Sequence, residues 1–306
     1  MRTLRKAAAE RAVLTALIIV LSVLAAAGCA AADKEKSASS DFNTDEADAR
    51  WFYSAFDAEY RAAYTAFDKA ADELWSSEPV QIIDGKGKPL TISVKDLDRV
   101  YQGFLYDHPA YFWLGRSYSY RVNGSDRDGE TADAVLLVPE VDSKKELEER
   151  RKIFESSAEK ILTAVQKSES EKVRAQQIYD LLADGTEYVE EAAYDEGLLT
   201  EHTAYGAIVE RRAVCDGFAL AYKYLLDQCG IRNTLIPGES EGAPHVWNTV
   251  YWDESWHEAD LTWDASSAAH DKRQYFDLTT EEMEKDHSRE TDGIAGLVPA
   301  AGKDAD

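Results

Sequence analysis

Residues 211–230 read RRAVCDGFALAYKYLLDQCG, and the fold turns on them. Phe218, Tyr222, Leu225, Leu226 and Cys229 recur at helical spacing, and Gly230 stands where a helix C-cap glycine belongs. The pattern predicts one helix opening at Cys215 and closing at Cys229. Fourteen helical residues separate the two sulfurs by about 21 Å along the axis. A disulfide needs Cα atoms within about 7 Å, so the two cysteines are not expected to pair. Cys229 is expected as a small buried apolar residue. Cys215 lies at the helix start, where backbone N–H groups and the helix dipole favour a thiolate and lower its pKa.

A thiolate nucleophile needs a base, and the base needs an orienting acceptor. Downstream lie two strand-like runs, HVWNTVYW (245–252) and SWHEAD (255–260), separated by Asp253-Glu254. A two-residue hairpin loop there sets Trp252 opposite Ser255 and Trp247 opposite Asp260. His245 and Asp260 then share one sheet face, offset diagonally by two positions. A loop of odd length would put them on opposite faces. Glu254 is a poor residue for so tight a turn. Four of the seven tryptophans fall in 247–263 and read as sheet core.

These residues resemble the transglutaminase-like superfamily. Its pattern is a cysteine, then G-[FY]-A (Gly217–Ala219), then H-x-W-N (His245–Asn248), an aspartate fifteen residues after the histidine (Asp260), and T-W-D (Thr262–Asp264). The resemblance covers roughly 170–290, including TAYGAIVERRAVC upstream and YFDLTTEEMEKDHS downstream. LYDHPAYFWL (105–114) resembles a region that often precedes this domain in bacterial extracellular members. The resemblance implies an α+β fold: a papain-like core, with a helix packed on an antiparallel sheet, preceded by a helical and mixed N-terminal region. It also implies Cys215 as nucleophile, His245 as base and Asp260 as orienter. Three departures touch the hairpin. Glu254 replaces a turn glycine, Leu261 a proline and His257 an aromatic.

The chain has 306 residues and a formal net charge of -24, which repels nucleic acid and anionic headgroups. Arg2, Arg5, Lys6 and Arg11 precede the apolar run 12–28, and LAAAGC (24–29) resembles the lipobox of bacterial lipoproteins, with Ala26 at the usual leucine position. This reads as a signal peptide over 1–28, lipidation at Cys29 and a flexible tether over 29–46. A helical and mixed region is expected over 47–168, the transglutaminase-like domain over 169–292 and a flexible tail over 293–306. The protein is expected outside the cytoplasm, anchored to the membrane by lipid. Within 47–168, one helical stretch is expected over 48–75, a helix ending at His108-Pro109, a strand after it, and a hairpin around NGSDRDGET.

Other motifs fall short. GESEG (238–242) lacks the helix a nucleophile elbow needs, HEADL lacks the second histidine of a zinc helix, and SDRDGE is too incomplete for a calcium loop. No metal or cofactor is expected. His202, His257, His270 and His287 read as surface or supporting residues, His108 as a turn residue and Asn248 as structural. Asp216 and Asp264 read as caps or loop acceptors. The function implied is thiol-dependent acyl transfer on a protein or peptide substrate, a cell-envelope peptide among the candidates, by transamidation or hydrolysis. The alternative is an inactive extracytoplasmic binding or scaffolding module on the same fold.

Overall fold

The computed structural model describes residues 4–7, 50–127, 129–167, 169–195, 199–266 and 273–302. Most of the expected leader, Cys29, the tether and His270 lie outside the described residues. The N-terminal part comprises β1 (Leu4–Ala7), α1 (Trp51–Ala55), α2 (Ala58–Asp72), β2 (Val80–Gln81), β3 (Ile92–Ser93), α3 (Val94–Asp107), β4 (Tyr118–Asp126) and β5 (Gly129–Leu136). β1 falls inside the segment expected to be only a leader. It pairs antiparallel with β4, whose edge offers backbone donors and acceptors for such pairing.

The helical stretch expected over 48–75 is two helices. Asp57 breaks it by accepting from the Glu59 and Tyr60 N–H groups, both at 2.9 Å, and so caps α2. Ser93 caps α3 in the same way, through Asp96 N–H at 3.0 Å. The strand expected after Pro109 does not form. Tyr111 N–H donates to His108 O and Leu114 N–H to Tyr111 O, both at 2.9 Å, so successive turns use the donors that a ladder needs. The hairpin β4–β5 does form, and its strands run into the expected loop.

The C-terminal part comprises α4 (Lys144–Thr163), α5 (Glu171–Gly185), β6 (Glu187–Tyr188), β7 (Arg212–Ala213), α6 (Cys215–Gln228), β8 (Asn233–Ser240), β9 (Ala243–Trp252), β10 (Ser255–Ala259), α7 (Leu261–Ser266), α8 (Thr280–Met283) and β11 (His287–Arg289). An antiparallel sheet in the order β10-β9-β8-β11 carries α6 against β8 and β9. The chain is thus α+β, a helix packed on an antiparallel sheet. α6 buries Phe218, Tyr222, Leu225 and Leu226, and Gly230 ends it with φ +68°. Both cysteines are free, and Cys229 is buried.

Two-residue turns join the sheet. Glu241-Gly242 links β8 to β9, and Asp253-Glu254 links β9 to β10. All four residues have positive φ, the conformation of a type I′ hairpin. GESEG is therefore a strand end and its turn.

One apolar core joins the two parts. Phe67, Phe104 and Trp113 from the N-terminal region pack in the same cluster as Ile236 and Trp247 from β8 and β9. Met283, Ile294 and Val298 complete it. The expected flexible tail is corrected here for residues 293–302. Ile294, Ala295, Val298 and Ala301 are buried, and Trp51 Nε1 donates to Leu297 O at 3.0 Å. The second cluster gathers Phe154 and Ile161 of α4, Ile178 and Leu182 of α5, and the inner face of α6. Fully buried Lys223 on α6 lies 3.1 Å from Asp227. Its charge also acts on buried Asp107 of α3.

Candidate active site

The β9–β10 register sets Trp252 opposite Ser255 and Asn248 opposite Ala259. The next position of this register brings Asp260 toward Trp247, so His245 and Asp260 share a face. His245 Nε2 donates to Asp260 Oδ2 at 2.7 Å. That leaves Nδ1 as the other ring nitrogen.

Asp260 is fully buried and anchored on every side. Oδ1 accepts from Thr262 N–H at 2.9 Å and Trp263 N–H at 3.4 Å, which caps α7. Its own N–H donates to Tyr275 O at 2.8 Å. The Tyr179 hydroxyl on α5 lies 2.7 Å from the Asp260 carbonyl oxygen and 2.7 Å from Asp264 Oδ2. Burial alone would raise the Asp260 carboxyl. The charges and hydrogen bonds of His245 and His287 outweigh burial and hold it well below the usual carboxylate range.

Cys215 opens α6 and is half-buried. It packs with Tyr106 of α3 against Ala219, Leu235 and Val246, the last being the neighbour of His245 on β9. Gly217 lets the helix start lie against the backbone of Glu201, because a Cβ there would lie 2.2 Å from Glu201 O. The expected lowering of the thiol pKa is corrected. Burial, then the charges of Asp216 and Asp260, push the thiol up to about 12. The N–H groups of Asp216 and Val246 pull the other way and are outweighed. The balance of these effects favours the protonated sulfur.

Three of the other described histidines, His202, His257 and His108, support the scaffold. His202 Nδ1 lies 2.8 Å from Asp216 Oδ1, and its Nε2 donates to Ala192 O at 3.0 Å, bracing the helix start. His257 stacks on Trp252 at 4.5 Å and lies 2.8 Å from Asp277. His108 follows the last residue of α3 and stacks on Tyr111 at 4.6 Å. Asn248 Nδ2 donates to Ala219 O at 3.0 Å and ties β9 to α6.

His287 is different from these. Its imidazole is buried, and Nε2 reaches the same Asp260 Oδ2 at 3.0 Å. Its place depends on β11 pairing with β8, His287 opposite Ser240, a contact between distant segments that local spacing does not reveal. In the sequence His287 stands in YFDLTTEEMEKDHS, where nothing in the spacing ties it to Asp260. Tyr179 and Tyr106 escaped the sequence reading because each looks like an ordinary core aromatic of its helix. Ligand-type atoms of His245, Asp260 and His287 lie within 4.8 Å of one another, a spacing that could hold a metal ion among the described residues. The separations of 2.7 and 3.0 Å to the carboxylate oxygen are hydrogen bonds.

Solved structures similar to part of this chain include two. One is described as a TGase, at 18% identity and a TM-score of 0.34, covering 46% of this chain and 44% of that one. The other is described as a cysteine protease candidate from Cytophaga hutchinsonii, at 19% identity and a TM-score of 0.30, covering 44% of this chain and 52% of that one. The chain thus spans about half the length of these structures or less. No family model matches the chain, and no curated protein matches it.

Proposed function

We propose that the chain is a thiol enzyme performing acyl transfer at amide bonds of a protein or peptide, with Cys215 as nucleophile, His245 as base and Asp260 as orienter. The observation that carries this reading is the 2.7 Å bond from His245 Nε2 to buried Asp260, with Cys215 packed beside the next residue on β9. Asp260 fixes the tautomer and stabilises the imidazolium that forms.

Because the sulfur starts as a thiol, the proton moves as the substrate is attacked. His245 Nδ1 takes the proton from Cys215, and the sulfur bonds to the amide carbon. Backbone N–H groups at the start of α6 hold the oxyanion. The C–N bond breaks as His245 returns the proton to the leaving amine, which leaves a thioester. An incoming amine or water then gives its proton to His245 and attacks the thioester. The C–S bond breaks and His245 passes that proton to the sulfur, so the products are a new amide or a carboxylic acid and the thiol is restored. We place the protein outside the cytoplasm, held to the membrane through lipid on Cys29, on the strength of LAAAGC and the apolar run before it. No described helix is long and apolar enough to cross a membrane.

The raised thiol favours a second reading, an inactive binding module. Iodoacetamide mapping separates the two. In an enzyme, labelling of Cys215 depends on His245 and slows in His245→Ala, and Cys215→Ala abolishes coupling of a labelled amine to casein. Labelling of Cys215 that is the same in His245→Ala, with no coupling lost in Cys215→Ala, selects the binding module. Hydrolysed rather than amine-coupled product selects a peptidase.

A further inference from the structure

We propose that His287 is a positioning residue of this site: an imidazolium that shares the Asp260 carboxylate with His245 and offsets its charge at Cys215. Both ring nitrogens of His287 face carboxylate oxygens, Nε2 at 3.0 Å from Asp260 Oδ2 and Nδ1 at 2.6 Å from Asp286 Oδ1. A neutral imidazole has one donor and one acceptor, so one carboxylate would then face a lone pair. Only the doubly protonated ring donates to both.

The two acids hold their other donors as carboxylates do. Asp286 Oδ2 accepts from the Tyr275 hydroxyl at 2.7 Å. Asp260 Oδ1 accepts from the Thr262 and Trp263 N–H groups. The charged and titratable groups around the ring are Asp260, Asp286, His245 and Tyr275, with Arg289, farther along β11, paired to Glu258 of β10. The aromatic rings of Trp247, Trp263 and Tyr275 lie 5.1, 5.2 and 5.7 Å from the His287 ring and exclude water from it. Burial alone would lower the His287 pKa. The hydrogen bonds and charges of Asp260 and Asp286 outweigh it, and the net direction is up.

The consequence reaches the sulfur through Asp260, whose negative charge is one of the groups pushing the Cys215 thiol up. A fixed cation on that carboxylate cancels part of this push. His287 therefore sets how readily Cys215 gives up its proton, without touching the substrate. The catalytic part of this claim rests on Cys215 being the nucleophile. The charge on His287 does not.

The test pairs two readouts on the whole protein and on His287→Gln, which keeps an N–H donor for Asp260 and removes the charge. First, ring carbon and nitrogen NMR of His287 should report the doubly protonated form at neutral pH. Second, iodoacetamide labelling of Cys215 should be about tenfold slower in His287→Gln at neutral pH, as one lost neighbouring charge implies. That ratio should close toward one as pH rises through the His287 titration. Asp286→Asn, which leaves the ring in place, should make the ratio close at lower pH. A neutral His287 at pH 7 overturns the proposal, and so does a rate ratio that stays constant with pH, the mark of a merely structural role. If Cys215 proves unreactive, the enzyme reading falls while the NMR still decides the charge on His287.

Discussion

Asp260 carries four donors on one buried carboxylate: two imidazoles and two backbone N–H groups. Asp260→Asn can keep the backbone contacts and loses the charge that holds His245. Turnover should fall about 10³–10⁴-fold with the fold intact by circular dichroism. The same groups set a pH window for stability. The raised pKa values of His202 and His287 contribute stability that is full below the ordinary histidine value of about 6.5 and is lost as pH rises through their folded values. The depressed Asp260 contributes stability present above about 4, lost as pH falls through its folded value. Urea unfolding across pH should show a maximum between about 4 and 6.5, and a steady rise through neutrality would contradict it. At this scale His245 and Asp260 were legible, because the parity of a short hairpin loop places them on one face. His287 was not, because β11 reaches β8 across a long stretch of intervening chain. Nor was the raised thiol, because the helix start that stabilises a thiolate is here buried beside two acids.

Among the elements, α6 depends on a missing side chain. A Cβ on Gly217 would lie 2.2 Å from a backbone carbonyl, which cannot swing away. Gly217→Ala should cost about 2–3 kcal/mol by thermal unfolding and displace the helix start, so that Cys215 labelling slows as well. The β9–β10 turn has the opposite problem. Asp253 and Glu254 hold φ of 50° and 61°, a region costly for residues with a side chain. Glu254→Gly should therefore stabilise the chain by about 0.5–1 kcal/mol, read as a higher urea midpoint. The sequence announced α6 through its apolar spacing and closing glycine, and the hairpin through strand alternation. It misread 110–115, where tight turns after Pro109 win over an aromatic-rich run that looks like a strand.

At the scale of the whole molecule, the N-terminal region and the second sheet share one core. Trp247 and Ile236 of that sheet pack with Phe67, Phe104 and Trp113. Buried Asp107 further feels the charge of Lys223 on α6. A fragment lacking residues 50–142 should expose this face, bind a hydrophobic dye and lose cooperative unfolding; a fragment that unfolds cooperatively would contradict the shared core. Composition could not reveal this sharing, because nothing in a residue's local pattern says which distant segment covers it. If the proposed mechanism holds, Cys215 forms an acyl thioester with His245 as its base. The direct measurement is peptide-mapped mass spectrometry after brief exposure to an activated ester. An acyl group should appear on Cys215, removed by hydroxylamine and formed at least about tenfold more slowly in His245→Ala. No adduct on Cys215, or one that forms equally fast without His245, would contradict it.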